Sequence, residues 1–146
     1  MITEVKGNLL DTDCKYIAHG VNCKNTMGSG VARALYEKWP EVKRRYHEYP
    51  PHKVTLGRVQ KAKVAEDKFV LNCFTQENFG YDGIKYVSYD AIHRCFSVIK
   101  YLYGDDIDCL AIPKIGCGLA GGDWDVVRPI IEGVVEDAFD VKVYYL

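Results

Sequence analysis

The sequence predicts one three-layer α/β domain over residues 1–146, with a central mixed sheet of about six strands. Three observations predict it. Short apolar or alternating runs are interleaved with stretches of helical spacing along the whole chain. The run Cys109-Leu110-Ala111-Ile112 is apolar throughout, as expected of a central strand covered on both faces. Two glycine-rich stretches, NCKNTMGSG (22–30) and PKIGCGLAGGDW (113–124), each separate a strand-like run from a helix-like one.

The elements follow in order. Residues 2–6 alternate and read as a first strand, and Tyr16 to Val21 as a second, short and mostly apolar. Val31, Ala34, Leu35 and Lys38 fall at helical spacing over 31–39. Pro40 suits the first turn of another helix, about 41–48, which Pro50-Pro51 breaks. Residues 57–64 and 68–74 read as two strands joined by a charged turn, a hairpin. Turn residues fill Gln76 to Gly83. Ile92, Cys95, Phe96, Ile99, Leu102 and Tyr103 then mark one face of a long helix. The apolar strand 109–112 and the second glycine stretch come next. Val127, Ile130, Ile131, Val134, Val135 and Ala138 form the stripe of a last helix, with Asp123 or Asp125 as its cap and Pro129 inside it. Val141–Leu146 closes the sheet.

Composition excludes several classes. Nineteen basic and 20 acidic residues leave a net charge of -1, which argues against a nucleic-acid partner, because that needs a clustered basic surface. Lys43-Arg44-Arg45 is flanked by Glu41 and Glu48 and reads as a solvated helix face. No apolar run approaches a membrane span, and no signal-like segment follows Met1. The six cysteines (14, 23, 73, 95, 109 and 117) form no CxxC, and no histidine pair has ligand spacing, so no metal is expected. A reduced, cytoplasmic, monomeric protein is the expectation.

The two glycine stretches carry the functional reading. A glycine-rich turn can wrap backbone N–H groups around an oxyanion, and a following helix adds the positive end of its dipole. Two such loops beyond the carboxyl ends of strands sit where α/β sheets bind ligands. Known phosphate signatures do not fit. There is no GxxxxGK[ST], no GxGxxG after the first strand, and no arginine six residues after any cysteine.

KGNLL (6–10), VNCKNTMGSGVA (21–32) and PKIGCGL (113–119), in this order, resemble the macrodomain, an ADP-ribose-binding module. The resemblance covers essentially the whole chain. It is nearest to the ADP-ribose-1″-phosphate phosphatases and to the hydrolases that remove ADP-ribose from acidic side chains. It implies a three-layer α/β/α fold and no cofactor. Its implied ligand is ADP-ribose or ADP-ribose-1″-phosphate, with ADP-ribosylated proteins as a further partner class. Asn8 would accept from the adenine amino group and Leu9 would meet the ring. Asn22 would face the distal ribose. Gly28, Ser29, Gly30 and Val31 would wrap one side of the diphosphate; Ile115, Gly116, Cys117, Gly118 and Leu119 would wrap the other. Tyr144 and Leu146 would line the adenine end.

The departures bear on chemistry. Thr75 and Gln76 stand where the acidic-side-chain hydrolases use a lysine, and Ala120 stands where they carry an aspartate. The nearest carboxylate is Asp123, which either reaches inward as a base or only caps the last helix. His19 resembles the histidine of the phosphatase branch and is either a catalytic acid–base group or a buried core residue. His47, His52 and His93 are expected on the surface, away from both loops. The expected function is thus removal of the 1″-phosphate, with Asp123, His19 and Asn22 as catalytic candidates. A de-ADP-ribosylating hydrolase and a non-catalytic binding module are the alternatives.

Overall fold

The structure, a computed structural model, describes residues 1–28, 30–49, 55–78, 85–118 and 120–146. The Pro50-Pro51 break, His52, Ser29, Leu119 and most of the Gln76–Gly83 loop lie outside the described residues. Six strands and four α-helices appear in the expected order. They are β1 (Ile2–Lys6), β2 (Tyr16–Asn22), α1 (Gly30–Lys38), α2 (Glu41–Glu48), β3 (Val59–Ala65) and β4 (Lys68–Gln76), then α3 (Tyr89–Tyr103), β5 (Cys109–Ile112), α4 (Trp124–Val135) and β6 (Asp140–Tyr145).

The sheet runs β1-β6-β5-β2-β4-β3. All neighbours are parallel except β3 and β4, whose antiparallel pairing is the predicted hairpin. The two-residue side-chain period of β2 divides its neighbours between two cores. Tyr16 and Ala18 face the layer of α3 and α4, with Phe96, Ile99 and Ile131. Ile17 and Val21 face the layer of α1 and α2, with Leu35, Val42 and Tyr46. Leu110, Ala111 and Ile112 of β5 are inaccessible to solvent, because this strand has a partner on both edges and a helix layer on both faces. Leu110 and Ile112 each contribute about 2 kcal/mol by burial.

Helix ends follow capping chemistry. Ser88 caps α3, its Oγ accepting from the Ala91 N–H. Pro40 precedes α2 in helical conformation, where its missing N–H costs nothing. α4 ends at Val135, so Ala138 lies beyond the helix; Glu136 reverses the chain with a φ of 48°.

One expectation is corrected. The cysteines are not all reduced: Cys14 and Cys109 form a disulfide, leaving Cys23, Cys73, Cys95 and Cys117 free. Cys14 lies just before β2 and Cys109 opens β5, so parallel pairing of these strands sets their Cα atoms 5.4 Å apart despite a sequence separation of 95. No helix among the described residues is long and apolar enough to cross a membrane. Thiol titration of the denatured protein without reductant should therefore count the four free cysteines; a count of six would restore the reduced reading.

Candidate functional site

β2 and β5 are adjacent and parallel, so the loops that leave their carboxyl ends emerge side by side. Their pairing covers Tyr16–Leu110 and Ile17–Ala111. β5 then meets Pro113, which has no N–H for a ladder, while β2 runs on to Asn22. The gap opened there is a cavity of about 560 Å³. His19, Asn22, Gly28, Gly30 and Val31 line it on the β2 side, and Ile115, Gly116, Cys117 and Gly118 on the β5 side.

The glycines divide into two kinds. Gly116 and Gly122 build the second loop. A Cβ on Gly116, whose φ is +75°, would lie 2.6 Å from Val87 Cγ2, and one on Gly122 would lie 2.5 Å from the Gly116 carbonyl oxygen. Gly28, Gly30 and Gly118 differ, because a Cβ on any of them would meet nothing within 4 Å, although Gly30 is also favoured by its backbone φ of +63°. Their missing side chains leave the cavity open. Gly30, Val31 and Ala32 form the first turn of α1, where N–H groups have no intrahelical acceptor, and all three line the cavity. Lys114 is the one fully charged side chain among the described lining residues, and its ammonium lies 3.9 Å from Glu4. The cavity therefore offers backbone dipoles to an anion.

Asn22 is held at the end of β2. Its Oδ1 accepts from the Lys24 N–H at 2.9 Å and from the Tyr46 hydroxyl at 2.8 Å, and its Nδ2 donates to the Thr26 carbonyl at 2.7 Å. Cys117 lies in the second loop with its thiol 3.3 Å from the Ile115 carbonyl. Burial, aided by the charge of Asp123, pushes the thiol up to about 11, so it stays protonated at neutral pH.

His19 is 1% exposed, and its Nε2 lies 2.5 Å from Asn72 Oδ1. Asn72 Nδ2 donates to Gln60 Oε1 and to the Val42 carbonyl, so its Oδ1 is the acceptor and His19 carries its proton on Nε2. His19 Nδ1 is buried with no partner among the described residues. Burial lowers the imidazole to about 4, against its Asn72 hydrogen bond, so His19 is neutral at physiological pH.

Asp123 lies outside the described lining. It is exposed at the N-cap of α4, with Oδ1 accepting from the Asp125 N–H at 2.9 Å. Its charge reaches Cys117, which places it near the mouth beside the second loop. Asn8, Leu9, Tyr144 and Leu146 also lie outside the lining. They are at the carboxyl ends of β1 and β6, on the same edge of the sheet. Asn8 Oδ1 accepts from the Leu10 N–H, the Tyr144 hydroxyl donates to Thr12 Oγ1, and Leu146 is 94% exposed.

Residues that sequence reasoning missed also line the cavity. They include Gly20, Val21, Thr26, Met27, Pro113 and Lys114, with Gln76 and Ala120, which the sequence marks only as departures. Thr26, Met27 and Lys114 lie inside the two glycine stretches, so the stretches themselves were the signal. His47 is exposed as expected, yet it is not remote from the loops: its Nδ1 lies 2.7 Å from Asn25 Oδ1.

Comparison with known proteins identifies the family. The Macro domain family model matches residues 18–131. A DNA ADP-ribosyl glycohydrolase from Mycobacterium tuberculosis is 26% identical over 146 residues, covering 97% of this chain and 40% of that protein. The chain thus spans less than half of that relative's length. An ADP-ribose 1″-phosphate phosphatase from Lodderomyces elongisporus is 23% identical over 141 residues, 89% of this chain and 86% of that protein. The solved structure of a macrodomain protein from Streptomyces coelicolor matches with a TM-score of 0.83 at 26% identity, covering 100% of this chain and 99% of that one.

The neutral state of His19 sets a pH dependence. Its folded pKa of about 4 lies below the ordinary 6.5, so the unfolded chain binds the extra proton between these values. The His19 contribution should be complete above pH 6.5 and fall away as pH drops through about 4. Denaturant melts across that window should show the loss in wild type and a flatter profile in His19→Gln, whose amide can still donate to Asn72. Parallel profiles would mean that His19 is not buried neutral.

Proposed function

We propose that this chain, which belongs to the macrodomain family, binds ADP-ribose in the cavity between its two glycine loops and hydrolyses at the distal ribose, removing the phosphate of ADP-ribose-1″-phosphate. One observation carries the reading: Gly28, Gly30 and Gly118 leave open space on both walls of a cavity floored by the ends of β2 and β5. A diphosphate seated there meets the free N–H groups of the first turn of α1 from one side and the second loop from the other. Backbone recognition needs no lysine or arginine, in keeping with a nearly neutral chain. The volume is that of an ordinary small-molecule site.

The distal ribose would lie against Asn22. One of the two amide hydrogens on its Nδ2 is committed to Thr26; the other is uncommitted among the described residues and can donate to a ribose hydroxyl. Gln76 lines the cavity where the acidic-side-chain hydrolases carry a lysine, and an amide cannot act as an amine nucleophile. A water-based route is therefore favoured. Asp123 supplies the carboxylate. The cap uses Oδ1 and orients the group, which leaves Oδ2 to take a proton from water attacking at the mouth. His19, neutral and donating to Asn72, acts by holding the strand and not by proton transfer.

The exposure of Asp123 and its commitment as a cap favour a second reading, a binding module without catalysis. Asp123→Asn separates the two, since asparagine caps a helix as well as aspartate but is no base. Single-turnover phosphate release from ADP-ribose-1″-phosphate should fall roughly a hundredfold with affinity and thermal midpoint intact. Unchanged turnover would reduce Asp123 to a cap, and no turnover in wild type would leave a binder.

Binding has its own test. A Cβ at Gly118 would meet nothing within 4 Å, so Gly118→Ile should melt close to wild type while showing no calorimetric heat with ADP-ribose. A folded wild type without such heat would remove the reading at its root.

A further inference from the structure

We propose that Tyr46, on α2 and outside both glycine loops, is a positioning residue for the ligand site: its hydroxyl holds Asn22 and the first loop in the binding geometry. The inference rests on the reading of the cavity as an ADP-ribose site. Tyr46 is 2% exposed and its ring stacks on Phe74 with centroids 5.9 Å apart. The hydroxyl sits within the turn of residues 22–26. It accepts from the Thr26 N–H at 3.0 Å, and its single proton is shared between Asn22 Oδ1 at 2.8 Å and the Asn22 carbonyl at 2.9 Å.

One phenol thus ties both ends of that turn. It also fixes which way the Asn22 amide points, because Oδ1 is engaged by Tyr46 and Lys24 and only Nδ2 can face a ligand. The neighbouring His47 holds the middle of the turn at Asn25, whose φ of 57° is in the left-handed region. Without these contacts the loop would have to be ordered by the ligand, and that cost would be taken from affinity.

α2 is itself anchored to the sheet from within. His19, Asn72 and Gln60 stand opposite one another on β2, β4 and β3 and form a buried polar row. Asn72 donates to the Val42 carbonyl and Gln60 to the Arg45 carbonyl, both on α2. The Arg45 carbonyl is in the last turn of α2, where no intrahelical donor remains. The row sets the helix, the helix sets Tyr46, and Tyr46 sets Asn22.

Tyr46→Phe keeps the stacked ring and removes only the hydroxyl. Two measurements test the proposal. Without ligand, amide exchange should quicken at Lys24 and Thr26, whose N–H groups depend on Asn22 and Tyr46, and stay unchanged at Ile17 and Ala18 in β2. With ligand, affinity for ADP-ribose should fall roughly tenfold, while AMP, which lacks the distal ribose, should bind as to wild type. Equal losses for both nucleotides would make Tyr46 a general core residue, and no loss for either would also overturn the proposal. If wild type itself fails to bind ADP-ribose, the functional reading fails, and exchange at Lys24 and Thr26 alone decides the role of Tyr46. If Tyr46→Phe does not fold, His47→Ala, an exposed change, should show the same split between ligands at smaller size, and equal losses there would count against the clasp.

Discussion

β2 and β5 run parallel and side by side, and the rest of the molecule depends on that pairing. Parallel neighbours send their carboxyl ends to the same edge of the sheet, so loops far apart in sequence face one another across the cavity. The unequal reach of the two strands then makes the cavity. β5 stops where proline removes its next donor, and β2 continues for five residues beyond its last partner on β5. At the other end the same adjacency brings Cys14 and Cys109 together. Both helix layers are answers to one demand, since a strand paired on both edges is covered on both faces or leaves apolar surface in water.

The α1/α2 layer carries an unusual cost. Its core contains the fully buried polar side chains of His19, Gln60 and Asn72, where an apolar row would pack as well. Nearly all their hydrogen-bonding groups are satisfied, with His19 Nδ1 the exception. A satisfied polar row specifies orientation in a way that apolar packing does not, because a hydrogen bond has direction and a methyl contact has little. It holds a helix of only eight residues that carries the clasp on the first loop. Among the described residues the α3/α4 layer has no such row and holds the larger apolar cluster. One layer is built for stability, the other for placement.

Recognition by backbone dipoles also explains the composition. A site that used side-chain cations for a diphosphate would need several lysines or arginines in the cavity, and the described lining has Lys114 alone, paired toward Glu4. N–H groups at a helix start and in glycine turns supply partial positive charge without a counter-ion to displace. Glycine therefore stands at these positions for two reasons. Gly116 is needed by the turn itself, whereas Gly28 and Gly118 leave open space, which the ligand fills in the proposed function.

The sequence by itself determined the elements, the two cores and the glycine stretches, because periodicity and turn chemistry are local. Period two separates Tyr16 and Ala18 from Ile17 and Val21, and the 3.6 spacing of Ile92, Cys95, Phe96 and Ile99 needs no partner to be seen. Only the tertiary structure decided what those elements do to each other. The Cys14–Cys109 bond spans 95 residues, and His19, kept neutral by burial, is oriented by Asn72, 53 residues away. Asp123 is a cap at the mouth because α4 begins there, and Tyr46 serves the loop because α2 docks beneath it. Each of these is set by long-range strand pairing and helix docking, whose partners a local pattern does not name.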